Sequence, residues 1–386
     1  MLLRLCLIFL LASLLASACQ TPALDVQVAP SPTGALAEPT MLVTTPALAS
    51  SPAPSATPVI PTKTLTLAAT PKLSPTPEPV TTLLFTGVIV PARCVQAAID
   101  ASGNPDAPYE EVSALINQAD LAVGTLNATI SDYPPRTGCV PTYVLVGGSA
   151  NADALARAGF DVMSVATNHI KNCGLTNCGD RAFFDTLDNL QRVGITPVGA
   201  GKDHAEAMQP VVVTVNGNRF GIVSLGQIEP MAFASEERPG IAILNKENLE
   251  AAIAQARRVS DVVIAMPHWG PEDVAIPNWL QRNLAQQLVD AGADLVVGNH
   301  THVVQAIQEI GGVPVFYGLG NFVFDQTWAD DHQQGVILLV KFQGKEYLGY
   351  ELIPTHVDGD GRVHIAGQDE ASQILEHIES ASRLVK

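Results

Sequence analysis

From about residue 82 onward, short apolar runs alternate with stretches of helical spacing, and no other feature restricts the folds open to this chain so tightly. T-L-L-F-T-G-V-I-V (82–90) has the continuous apolar character of a buried strand. Residues 109–118 have helical spacing and lead into A-D-L-A-V-G-T-L, a second strand. Residues 150–158 read as a helix that delivers F-D-V-M-S-V-A-T-N-H, a strand ending in polar residues. Helical stretches at 181–193, 248–259 and 277–291 precede I-T-P-V-G-A-G, D-V-V-I-A-M-P-H-W-G and A-D-L-V-V-G-N-H-T-H in turn. V-V-V-T-V-N-G-N-R-F-G-I-V-S-L is a hairpin, with Asn216 and Gly217 supplying the tight turn. The runs that follow, among them V-P-V-F-Y-G-L-G-N-F, G-V-I-L-L-V-K-F and Y-L-G-Y-E-L, are mostly β. Strand–helix units with antiparallel additions imply sheet packed on sheet with helices outside. No internal repeat interrupts the pattern.

The alternation does not extend into residues 1–79. Residues 20–79 are dominated by Pro, Thr, Ala and Ser, cannot bury a core, and are expected to form an extended, semi-stiff tether. That leaves 80–386 for one large α/β domain. Residues 1–19 carry a single cation, Arg4, then an apolar stretch over 5–15, then Ala16, Ser17 and Ala18 directly before Cys19. The stretch is shorter than the ~20 apolar residues of a spanning helix and has the layout of a secretory signal. Small residues ahead of Cys19 add a lipobox reading, with cleavage before Cys19 and lipid on its sulfur. An ordinary signal-peptidase site near Ala18 is the alternative. On the lipobox reading the mature chain is extracytoplasmic and attached to a bacterial membrane by lipid alone.

Cysteine usage suits that compartment. Once Cys6 leaves with the signal and Cys19 is lipidated, Cys94, Cys139, Cys173 and Cys178 remain. An even number in an oxidising space points to two disulfides, Cys173–Cys178 clamping one loop and Cys94–Cys139 by subtraction. A zinc–thiolate site is the rival, although no C-x-x-C pair is present. The net charge of −17, from 38 acidic and 21 basic residues, opposes binding to nucleic acid or to a bare anionic membrane surface.

Three apolar runs end alike: one in Asn168-His169, one in His268-Trp269-Gly270, one in Asn299-His300-Thr301-His302. In α/β folds ligands bind beyond the carboxyl ends of strands, so imidazoles from separate strands can meet at one point there. Neutral imidazole is the commonest protein ligand for a transition metal. A lone His after a strand is usually a satisfied loop residue; several in the same arrangement reverse that expectation. Asn127 and Asn299 also fit the glycosylation sequon, which is discounted beside a bacterial lipobox. Trp269 and Trp279 are candidates for stacking on a sugar or peptide, with packing as the plainer role.

V-M-S-V-A-T-N-H, H-W-G-P-E (268–272), V-V-G-N-H-T-H-V-V-Q and Y-G-L-G-N-F-V-F-D-Q (317–326) occur in colinear order. Together with D-T-L-D-N-L-Q-R-V-G-I-T-P-V-G-A-G, they resemble the blocks of the poly-gamma-glutamate capsule synthesis (CapA-type) family. The resemblance spans roughly residues 83–325. It implies a metallophosphatase-like α/β fold, a four-layer sandwich of two facing mixed β-sheets with helices outside. Carried over residue by residue, Asn168, His268, His300 and His302 would be metal ligands. His169 would act on the reacting oxygen beside the metal, with Glu272 as a further catalytic group. Asn321, Trp269 and Arg93 would form the rim.

The departures from the family pattern shape the metal expectation. The family's first strand ends Gly-Asp where this chain has Gly87-Val88, and its Asn-Leu-Glu is here Thr125-Leu126-Asn127. The Asp three residues after its Asn-His is Asn172. Two cations a few Å apart need anionic ligands, so a dinuclear centre is not expected. One zinc-like ion on His268, His300 and His302, with Asn127 or Asn168, is the expectation, because His-rich ligation favours zinc over magnesium or calcium. Two functions follow. One is a metal-dependent hydrolase or transferase acting on poly-gamma-glutamate or another capsule or cell-wall polymer. The other is a non-catalytic family member that binds an envelope polymer or a protein partner.

Overall fold

In a computed structural model, which describes residues 78–173 and 178–385, two β-sheets stack face to face. The expected leader, Cys19 and the expected tether up to residue 77 lie outside the described residues. The first sheet is eight-stranded and runs Val363–Ile365, Glu346–Val357, Gln334–Gln343, Val80–Ile89, Leu121–Leu126, Val162–Ser164, Thr196–Val198, with Asn321–Val323 joined to the end of Val80–Ile89. The second is six-stranded and runs Ile307–Ile310, Val313–Phe316, Leu295–Val297, Val262–His268, Asn218–Gly226, Val211–Val215. Strands joined through helices pair in parallel, and the hairpin-connected strands at the margins pair antiparallel.

The period-two alternation of each strand divides the core into three layers. Leu83, Phe85, Leu121 and Val123 meet Phe220, Ile222, Ile264 and Met266 between the sheets. Leu84, Ala122 and Met163 face outward onto Leu155, Phe183 and Leu190 of the helices Ala150–Ala158 and Arg181–Arg192. On the far side Val223, Val263, Ala265 and Val296 receive Leu249 and Ile253 of Lys246–Val259 and Leu284 and Leu288 of Trp279–Asp290. The layer order is helices, sheet, sheet, helices, as the sequence implies. Strands covered on both faces account for the unbroken apolar runs, since neither face meets water.

Both expected disulfides are present, Cys94–Cys139 and Cys173–Cys178, so these four thiols bind each other and leave no zinc–thiolate site. The helix read at 109–118 is shorter than expected. A 3₁₀ turn over Ala107–Tyr109 and a single α-turn over Ser113–Ile116 replace it. The helices Arg93–Ser102 and Gln368–Arg383 were not read from the sequence.

One contact sets the geometry beneath the site. A Cβ on Gly87 would lie 2.2 Å from the Gly320 carbonyl oxygen, so only glycine lets the chain at 320 approach this strand. Val88 N–H donates to that same oxygen at 3.0 Å.

Candidate functional site

The ligand-type side chains expected from the sequence collect where the parallel strands of both sheets end. Asn127 follows Leu121–Leu126, Asn168 and His169 follow Val162–Ser164, His268 closes Val262–His268, and His300 and His302 follow Leu295–Val297. Asn299 ties the two sheets together here, its Nδ2 donating to Thr125 Oγ1 at 2.8 Å. His268 Nε2 lies 3.0 Å from Asn168 Oδ1 and 3.1 Å from His300 Nδ1. The His268 and His300 rings are 4.7 Å apart, and His300 and His302 are 6.1 Å apart.

His302 turns away from that pair. Its Nδ1 faces Asn321 Oδ1 at 2.8 Å and its Nε2 lies 3.9 Å from Glu272 Oε1, which is also 3.9 Å from His300 Nε2. His169 sits beside the cluster, its backbone N–H donating to Asn127 Oδ1 at 3.2 Å. Its Nδ1 faces Asn172 Oδ1 at 3.0 Å, an oxygen that also accepts from Leu145 N–H. An amide oxygen only accepts, so His169 carries its hydrogen on Nδ1 and leaves Nε2 as the lone-pair atom.

Burial sets the charge of these rings. It pushes His300 down to about 3 and His302 down to about 4, and holds His268 well below its usual range, with neighbouring imidazoles adding to the effect for each. His169 is lowered for the same first reason. All four are therefore neutral at pH 7 and offer lone pairs. Glu272 moves the other way, raised by burial and then by Asp273 beside it.

Backbone strain gathers at the same place. Among the described residues six non-glycines have positive φ, and one of them, Asn216, lies in a hairpin turn. The other five are Arg93, Glu229, Asp273, His300 (φ 103°) and His302 (φ 61°). Such conformations cost on the order of 1–3 kcal/mol each and persist where the surroundings over-determine them.

A cleft opens above the cluster. One cavity of about 290 Å³ is lined by Arg93, Tyr143, His169, Glu272, His302 and Trp328, among others. A second, of about 360 Å³, shares Tyr143 and His169 and extends past Asn168, Lys171, Glu229 and Met231. The two cations on its walls are engaged. Arg93 grips Asp325 with Nε and Nη2 and donates to Thr142 O, and Lys171 reaches Asp180 and Pro239 O.

Arg93 and Glu272 thus reach the cleft. Asn321 is buried beneath it, behind His302. Trp269 is a correction: it is fully buried, stacks on Tyr317 and donates Nε1–H to the Tyr317 carbonyl, so it belongs to the core and not to a rim. Gly298 makes the room, since a Cβ there would fall 2.4 Å from Trp269 Nε1. Trp279 is 70% exposed and absent from both cavities' walls. Asn127 and Asn299 are buried, which disposes of both sequons. Asp273, Gln326 and His332 were missed; Asp273 directly follows H-W-G-P-E and Gln326 ends the block 317–326, whereas His332 enters through folding alone.

Residues 82–326 match the family model described as "Bacterial capsule synthesis protein PGA_cap". The chain belongs to that family. It is 28% identical to the PGA biosynthesis protein CapA of Bacillus subtilis over 70% of each chain. To the capsule biosynthesis protein CapA of Bacillus anthracis it is 30% identical over 64% of this chain and 60% of that one. Among solved structures, a phosphatase from Mycoplasma pneumoniae is similar over 72% of this chain and 94% of that one, at 13% identity and a TM-score of 0.47.

Whether this PGA_cap site suits a metal is decided by its donor atoms. Among the described residues no group of three or more His, Cys, Asp and Glu side chains stands ready to hold one. His268 Nε2, His300 Nδ1 and Asn168 Oδ1 do converge, and ligands ~2.0–2.1 Å from a tetrahedral ion are spaced little wider than the 3.0–3.1 Å seen here. Val88 and Asn127 bring no negative charge, and Asn127 Nδ2 and His268 Nδ1 are buried without partners. These three atoms are the donors that would hold a single ion, and Val88 and Asn127 supply no carboxylate for a second.

Proposed function

We propose that this chain is an extracytoplasmic lipoprotein whose PGA_cap domain hydrolyses or transfers a bond in a capsule polymer, poly-gamma-glutamate or a cell-wall chain, with one zinc-like ion. The observation that carries the reading is the meeting of four neutral imidazoles, three of them deeply buried and two of them, His300 and His302, on positive-φ backbone, at the floor of a cleft. Structural packing alone gives no reason to bury His268, His300 and His302 together. His268, His300 and Asn168 would hold the ion, which when bound supplies Lewis-acid polarisation of a substrate oxygen. His169, with its lone pair on Nε2, accepts a proton from a nucleophile or donor group entering the shared part of the cleft. Glu272 presents a carboxylate between His300 and His302.

A specific observation favours the second reading, a family member that binds polymer or protein without turning it over. An isopropyl group at Val88 and an amide at Asn127 stand where the resemblance places carboxylates, and the amide's Nδ2 has no partner. Elemental mass spectrometry of the purified chain separates the two. The enzyme reading expects about one zinc-like ion per chain, lost in a His268→Ala, His300→Ala variant. A chain that takes up no ion after zinc reconstitution is a binder.

Anchoring is tested separately. Cys19→Ser is expected to move the protein from the membrane fraction to the soluble extracytoplasmic fraction. Retention of the variant in the membrane would sink the lipid-anchor reading.

A further inference from the structure

His332, one of the chain's nine histidines, is singled out by no motif and is 4% exposed on the short helix Asp330–Gln333. Its Nε2 lies 2.6 Å from Asp273 Oδ1 and its Nδ1 3.0 Å from Asp331 Oδ1. Asp273 follows Glu272 directly and has φ 62°, in the left-handed region that aspartate tolerates better than most residues. Its ties are a backbone N–H to Thr301 O at 3.0 Å and the carboxylate on His332.

The same residue reaches His302 by a second route. The His332 carbonyl accepts from Asn321 Nδ2 at 2.9 Å, and the other Nδ2 hydrogen goes to Gln326 Oε1, also at 2.9 Å. With both hydrogens used, the Asn321 amide has one orientation, its Oδ1 on His302 Nδ1 at 2.8 Å. Because that oxygen only accepts, His302 must carry its hydrogen on Nδ1 and expose Nε2 as a lone pair. The exposed atom faces Glu272 Oε1.

We propose that His332 is a positioning residue: it ties the segment bearing Glu272 to the amide that orients His302, and so aims the Glu272 carboxylate and His302 Nε2 at one point of the cleft. What the aimed atoms do rests on the metal-dependent reading above; the aiming itself belongs to the metal-free protein and is tested there.

The test uses the full chain labelled with ¹⁵N-histidine, without metal. The wild type is expected to show His302 as the Nδ1–H tautomer. His332→Leu is expected to shift the His300 and His302 ring resonances. In a Glu272→Gln background it is expected to shift them no further, because the group it aims has already changed. Asp273→Asn still accepts from His332 and should keep the wild-type positions. If His332→Leu does not fold, Asp273→Ala cuts the same tie from the other side and is read in the same way. An Nε2–H tautomer at His302, or equal shifts in both backgrounds, overturns the proposal. A wild type that binds no zinc would sink the metal reading and leave the tautomer and the non-additive shifts to decide the role of His332.

Discussion

Val88 is almost fully buried and pairs with Thr125 on one neighbouring strand and Asn321 on the other, in the first sheet, while His268, His300 and His302 close strands of the second. A carboxylate placed there would be buried, and the imidazoles at the strand ends offer it no positive charge, being neutral at pH 7. Val88→Asp is therefore expected to destabilise the metal-free domain by about 3–5 kcal/mol, the cost of an uncompensated buried charge. Zinc should return much of that loss by supplying the missing charge, a gain the wild type cannot match. Thermal unfolding with and without zinc reads both; a Val88→Asp midpoint that zinc leaves where it was would show that the site does not accept an ion. The imidazoles at this floor were legible in the sequence because each closes an apolar run, where the parallel topology brings strand ends together. Ring direction was not legible. His302 points at Asn321 through a side-chain bond between segments 19 residues apart, and no local pattern encodes that. Trp269 was misplaced for a related reason: adjacency to His268 is shared by a side chain on the opposite face of the backbone.

Between elements, two helix starts shifted through capping chemistry. Asn245 accepts from Asn248 N–H and starts its helix at Lys246, earlier than the apolar spacing alone suggests. Asn278 and Gln281 form a reciprocal capping box and start the next at Trp279. The missed helix Gln368–Arg383 carried its signal in Ile374, Ile378 and Ala381, a thin apolar stripe on an otherwise polar segment. A different joint makes a pH prediction. His364, on the edge strand Val363–Ile365, faces Glu111 at 3.0 Å and Asp358 at 2.8 Å, and these two carboxylates raise its pKa. A raised folded-state value means that the stabilisation is fully present below the unfolded value of 6.5 and is lost as pH rises through the folded one. The difference in melting temperature between wild type and His364→Gln should therefore be larger near about pH 5.5 than near about pH 9. Equal differences at both would remove this joint from the pH response.

Across the whole molecule the sheets are self-sufficient, each covered by helices and joined through a continuous core, but one cleft wall is not. Thr142 and Tyr143 line the cleft from a stretch between Ile130 and Val146 that holds no helix or strand. Nothing in such a stretch fixes its path except what it is tied to. Cys139 lies within it and is bonded to Cys94, next to Arg93, whose guanidinium donates to the Thr142 carbonyl. The disulfide and the Arg93–Asp325 pair thus hold that wall against the first sheet from two adjacent positions. Closing a loop with a sequence separation of 45 is worth about 4 kcal/mol in the chain-entropy account. Cys94→Ser with Cys139→Ser should lose up to that amount in denaturant unfolding, and should open residues 133–143 to proteolysis while the sheets stay protected. The same state should arise when the unmodified chain is made in a reducing compartment, which ties the fold to the extracytoplasmic location proposed for it. Uniform protection of 133–143 in the double variant would mean that the wall is held by packing alone, and the argument from redox compartment to cleft shape would fall with it.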